Sequence, residues 1–104
     1  MQNLPTWGEK STFGYAGSVK QGTKICYGKK GKTFICATQY VKLLDHFRGR
    51  TVDIGTSRDK RPPGSVGEYL QSKVTKPAIA SYVGRILITE RYAKKAGGPK
   101  IRFL

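Results

Sequence analysis

The spacing of apolar residues is most regular from residue 65 onward. Val66, Tyr69, Leu70 and Val74 recur at helical intervals on one face. Ser65-Val66-Gly67-Glu68 has the form of a capping box, in which serine and glutamate each satisfy an orphan backbone N–H at a helix start. Thr75 and Lys76 break the run, and Pro77 pre-sets φ for a new first turn. From there Ile79, Val83, Ile86, Leu87 and Glu90 share a side, while Ala78, Ser81, Tyr82, Arg85 and Thr89 share the other. The pattern predicts two helices, 65–73 and 77–89, with a tight turn between them; the second buries an apolar stripe and presents a polar, cationic face. Gly84 in mid-helix costs about 1 kcal/mol relative to alanine, which implies the close approach of another element. Beyond Glu90 the period falls to two. Residues 91–93 and 100–103 are expected to pair as an antiparallel hairpin, with Tyr92, Ile101 and Phe103 inward and Lys100 and Arg102 outward.

The first half is less regular. Residues 1–21 carry Trp7, Phe13 and Tyr15 without clear periodicity and read as an irregular arm, its aromatics either pinned on the domain or free to stack on bases. Residues 23–27 and 33–37 read as two strands around the turn 28–32, so 22–37 is a hairpin. Thr38 can cap a helix from Gln39 to Arg48, with Tyr40, Val41, Leu44 and Phe47 inward and Gly49 stopping it. Thr51 to Ile54 follows as a short strand. Residues 55–64 form the one long loop, stiffened by Pro62-Pro63. Residues 22–104 thus read as one domain: hairpin 22–37, helix and strand 38–54, helix-turn-helix 65–89, terminal hairpin 90–104.

The order over residues 38–104 is helix, strand, helix, helix, strand, strand. Together with Ala78-Ile79-Ala80-Ser81-Tyr82-Val83, Ile86 to Tyr92 and the basic turn Lys94 to Lys100, it resembles the winged helix-turn-helix superfamily of DNA-binding proteins. The resemblance implies an α+β fold, a winged helix-turn-helix with an added N-terminal β-hairpin. It also implies that the second helix of the pair enters the major groove while the wing lies along the backbone. Arg85 would then read guanine, Ser81 and Tyr82 would reach base edges or phosphates, and Ala78 would meet a thymine methyl. Lys76, Lys94, Lys95 and Lys100 would contact backbone, the wing lysines phosphates or the minor groove. Arg58, Lys60 and Arg61 precede a helix start, where phosphate is attracted; an ordinary cationic surface loop accounts for them equally well. One departure is Arg91, where many members have glycine.

Charge sharpens the choice of partner. Lysine and arginine number 20 against 6 acids, a formal +14, and twelve of the cations lie before Ser65 and eight after it. No detached tail explains the total, and a surface of this sign collects polyanions. Nucleic acid, double-stranded DNA ahead of RNA, is therefore expected before a membrane or an acidic protein, with a homodimer left open. The 104 residues suit one domain, and 38% hydrophobic content allows a packed core.

Candidate chemistry adds little. Gly31-Lys32-Thr33 ends like a phosphate-binding loop, but Cys26 stands where that motif needs glycine. Cys26 and Cys36 lack metal-ligand spacing and read as two thiols in a reduced cytosol. No apolar leader opens the chain and Ile86-Leu87-Ile88 is far short of a membrane span, so a cytoplasmic location is expected. His46 is the single histidine and falls on the polar side of its helix, and Asp53 and Asp59 do not form a nuclease core. No catalytic residue, metal or cofactor is expected. A small RNA-binding protein or a toxin-type, metal-independent ribonuclease is the alternative, although no Arg–Tyr–His cluster is visible at close spacing. A protein-interaction winged helix is a further one.

Overall fold

Apolar stripes from both halves of the chain meet in one core, and the elements are arranged around it. The computed structural model describes residues 1–56, 62–75 and 77–104. Among these, seven strands and three helices follow the order β1 (Gln2–Pro5), β2 (Thr12–Ser18), β3 (Gly22–Tyr27), β4 (Gly31–Ile35), α1 (Ala37–Phe47), β5 (Thr51–Asp53), α2 (Val66–Lys73), α3 (Ala80–Thr89), β6 (Ala93–Lys95) and β7 (Lys100–Phe103). The fold is α+β. An antiparallel sheet of order β1-β2-β3-β4 and a second of order β5-β7-β6 are both present.

The expected irregular arm is instead half of the first sheet. β1 and β2 pair Gln2 with Tyr15 through Pro5 with Thr12, and Trp7, Phe13 and Tyr15 are buried. In β2, Phe13 and Tyr15 alternate with Gly14 and Ala16. The outer positions are small rather than polar, so the period of two is hard to see in the sequence. The expected hairpin 22–37 is the other half, with pairing from Thr23–Ile35 to Tyr27–Gly31.

α1 starts two residues before the expected Gln39, with Cys36 as its N-cap in place of Thr38; the Cys36 N–H donates to Gln39 Oε1 at 2.9 Å. Its buried face is Tyr40, Leu43 and Phe47; Val41, expected inward, is 57% exposed, and Leu44 is half-buried. A buried hydrogen bond between the Tyr40 hydroxyl and Thr23 Oγ1, 2.7 Å, fixes that rotation under the sheet. Gly49, at φ +71°, follows the helix as expected of its stop.

α2 is capped by Ser65, whose Oγ accepts from the Glu68 N–H at 3.1 Å. The return bond goes one residue further back, from the Gly64 N–H to Glu68 Oε1 at 2.9 Å. α3 begins at Ala80 rather than at Pro77, because Ile79, 1% exposed, enters the core first and its carbonyl accepts from the Tyr82 and Val83 N–H groups. Val83, Ile86 and Leu87 are fully buried. A Cβ on Gly84 would lie 2.6 Å from Ile54 Cδ1 and 3.0 Å from Trp7 Cε3, which is the close approach the sequence implied. At the helix end, Tyr92 N–H donates to the Leu87 carbonyl (2.8 Å) and Arg91 N–H to that of Ile88 (3.1 Å), a Schellman motif with arginine at φ +68°.

That motif uses residues 90–92, so β6 runs over 93–95 instead of the expected 91–93. β7 lies between β5 and β6, with Ala93, Ile101 and Phe103 buried and Tyr92 half-buried. The Phe103 and Phe47 rings stack at 5.0 Å, which ties this sheet to α1. Glu90 accepts from the Tyr15 hydroxyl and from the Val19 N–H, both at 2.9 Å, which ties the end of α3 to the first sheet. No helix among the described residues is long and apolar enough to cross a membrane.

Candidate nucleic-acid interface

The helix face expected to be presented is covered. Tyr82 stacks on Tyr27, with ring centroids 4.7 Å apart and planes at 15°, and tilts against Phe13 at 5.0 Å. Burial raises its pKa above the ordinary tyrosine value. The Arg85 side chain is only 15% exposed, and its Nη2 donates to the Thr6 and Trp7 carbonyls at 3.3 and 3.4 Å, with Glu9 at 3.9 Å. Arg85 is therefore a clamp on the β1–β2 turn and is not free to form the bidentate pair that guanine reading requires. The physical reason is the sheet itself: β1, β2 and their turn fold across α3 from nearly 80 positions away in sequence.

Lys95 belongs to the same clamp. Its Nζ lies 5.1 Å over the Trp7 ring, 3.3 Å from the Trp7 carbonyl and 3.6 Å from Glu9. Ser81 is half-buried and lines a hollow of about 310 Å³ with Thr6, Lys10 and Thr56. Lys94 and Lys100 are exposed on the second sheet, where Lys100 sits 3.3 Å from Asp53. Lys76, Arg58, Lys60 and Arg61 lie outside the described residues. Of the six expected side chains that lie among the described residues, Arg85 and Lys95 hold the Thr6–Trp7 turn, Tyr82 packs on Tyr27 and Phe13, Ser81 is half-buried, and Lys94 and Lys100 are exposed on the second sheet, so the six do not share one surface.

Arg102, on β7 of the second sheet, is a cation outside that expected set. The pairing register sets Thr51, Arg102 and Lys94 side by side across β5, β7 and β6, all exposed, with no acid in the row. Its signal was present in the alternation Lys100-Ile101-Arg102-Phe103. The five acids among the described residues are occupied elsewhere. Glu9 meets Arg85 and Lys95, Asp45 meets Arg48 at 2.6 Å, Asp53 meets Lys100, Glu68 holds the α2 cap and Glu90 holds β2. From Lys10 to Leu44 the chain has seven lysines and no acid.

One cluster invisible at close sequence spacing does form. His46 lies edge-on to Phe47 at 4.6 Å and tilted to Tyr69 at 4.9 Å, beside a hollow of about 180 Å³ also lined by Glu68, Ser72 and Lys73. Both cysteines are free thiols, Cys26 half-buried and Cys36 exposed. Among the described residues no group of three His, Cys, Asp or Glu side chains could hold a metal ion. Comparison with protein families, with curated proteins and with solved structures finds no match to this chain.

Proposed function

We propose that the protein binds double-stranded DNA as a winged-helix-type domain, through the basic face of its β5-β7-β6 sheet. Two features support the winged-helix reading of residues 37–103: the order α1, β5, α2, α3, β6, β7 and the central position of β7. The observation that carries the binding reading is the exposed row of Lys94 and Arg102, with no ion pair to an acid among the described residues, on a chain of net charge +14. Cations in such a row meet phosphates and position the protein without selecting sequence. With Arg85 held by backbone carbonyls, the role is architectural rather than sequence-reading.

The test is a duplex titration at several salt concentrations with random and defined sequences. Lys94→Ala/Arg102→Ala should weaken binding to all duplexes alike and flatten the slope of log K against log [salt] by up to about 2 units, roughly 0.9 for each phosphate no longer neutralised. Arg85→Ala should leave the affinity of the folded protein unchanged. An unaltered slope in the double variant sinks the wing reading, and a loss confined to one sequence in Arg85→Ala restores base reading by α3. The His46 hollow favours a second reading, RNA cleavage without a metal. Labelled RNA resolved on a denaturing gel decides it, since scission must be present in the parent and abolished in His46→Ala.

A further inference from the structure

The two faces of the first sheet differ in kind. Phe13, Tyr15, Thr23, Ile25, Thr33 and Ile35 point into the core. On the outer face the register sets Ala16, Lys24 and Phe34 in one row, and Asn3, Gly14, Cys26 and Lys32 in the next. Phe34 is 67% exposed there, in the middle of a strand position where a polar residue would be ordinary. Beside it is an open hollow of about 420 Å³ whose lining includes Ala16, Gly17 and Gly22 as well as Gln21 and Cys36. Lys24 Nζ stands 5.9 Å from the Phe34 ring centroid. Lys32 shares the face, and Lys29 and Lys30 are exposed on the adjoining turn.

We infer that this face takes unpaired nucleotides, with Phe34 stacking a base and Lys24 and Lys32 holding the flanking phosphates. The ring supplies a flat apolar surface, the open hollow with its small residues Ala16, Gly17 and Gly22 leaves room for a second flat group beside it, and the absence of acids from Lys10 to Leu44 suits a polyanion. A duplex keeps its base faces covered by stacking, so only single-stranded DNA or RNA offers both a free base face and a phosphate within reach of one exposed ring. The site goes beyond the wing surface above, because it lies on the other sheet and addresses a different form of nucleic acid.

The experiment uses the full chain and three fluorescent probes: a single strand of about 12 nucleotides, a length within the usual site sizes, an abasic strand of the same length, and a duplex. Phe34→Ala should weaken the base-bearing strand by roughly 5- to 150-fold, the effect of removing one stacked base, and leave the abasic strand and the duplex unchanged. Phe34→Tyr, which keeps a ring, should retain binding. Lys24→Ala/Lys32→Ala should weaken both strands, with or without bases. Because Phe34 is exposed, a thermal melt should be the same for Phe34→Ala and the parent. Equal affinity of Phe34→Ala and parent for the base-bearing strand overturns the inference. So does an equal loss on the abasic strand, or a Phe34-dependent affinity confined to vesicles rich in phosphatidylserine. Absence of duplex binding would remove only the wing reading, since the comparison of base-bearing and abasic strands is scored without it.

Discussion

Gly84→Ala tests the seating of the first sheet on α3. Helix propensity alone would make the change stabilising by about 1 kcal/mol, because alanine is the best helix former and glycine among the worst. The structure opposes this. The new methyl would meet Ile54 Cδ1 at 2.6 Å and the Trp7 ring at 3.0 and 3.2 Å, against 3.4–4 Å for ordinary contact. Overpacking of this kind costs roughly 1–3 kcal/mol, so the net expectation is a destabilisation of about 1 kcal/mol. Ile54→Val removes the closest atom and by itself costs about 0.5–1.5 kcal/mol. The double variant should therefore be at least about 0.5 kcal/mol more stable than the sum of the two singles, a coupling of the size neighbouring side chains show. Urea denaturation followed by the fluorescence of Trp7, the one tryptophan in the chain, measures all four proteins. With a slope of about 1–3 kcal/mol per molar urea, a 1 kcal/mol loss moves the midpoint by roughly 0.3–1 M. A Gly84→Ala protein more stable than its parent, with additive behaviour in the double variant, would refute the packing of Trp7 and Ile54 against α3.

Two further outcomes follow from local geometry. Arg91 occupies a left-handed position that glycine adopts without strain, so Arg91→Gly should raise stability by up to about 1 kcal/mol and lift the thermal midpoint; a lowered midpoint would show that the arginine side chain contributes more than its backbone strain costs. Tyr15 has its pKa pushed up to about 12, chiefly by burial and then by its hydrogen bond to Glu90, from an ordinary 10.0. The folded state then holds the proton that the unfolded state releases, so this contribution is complete below pH 10 and is lost as pH rises from 10 to 12. The difference in stability between the parent and Tyr15→Phe should shift in favour of the variant across that window, and a pH-independent difference would show that the phenol titrates normally.

What could be read in advance was local in origin. The α2 cap rests on residues 65–68, the α3 stripe on helical spacing, and the β7 alternation on four residues in a row. Gly84 was legible because glycine in a helix interior requires an explanation. β2 was not legible, because glycine and alanine on its outer face erased the polar half of the alternation, and β1, four residues ending in proline, is too short to show a period. Arg85 was misjudged for a different reason. Helical spacing says which residues share a face, but whether that face meets water depends on other segments, here the Thr6–Trp7 turn. The β5-β7-β6 row involving Arg102 needed the pairing register, and the meeting of His46 with Tyr69 needed the packing of α1 against the start of α2.

The clamp has a kinetic consequence. Arg85 to Thr6, Lys95 to Trp7 and Glu90 to Tyr15 and Val19 join partners 71 to 88 positions apart. Synthesis at roughly 5–20 residues per second delivers the N-terminal strands seconds before α3 exists to cover them. In that interval Phe13 and Tyr15 lack the Tyr82 ring and the Glu90 carboxylate that cover them, and the free edges of β1 and β4 stand ready to pair with another nascent chain. Closure must wait for the most distant pairings in the molecule, the topology that slows folding most. Yield from a ribosome should therefore depend on how long those strands remain uncovered, and faster translation of residues 36–95 should reduce aggregation without altering a single side chain.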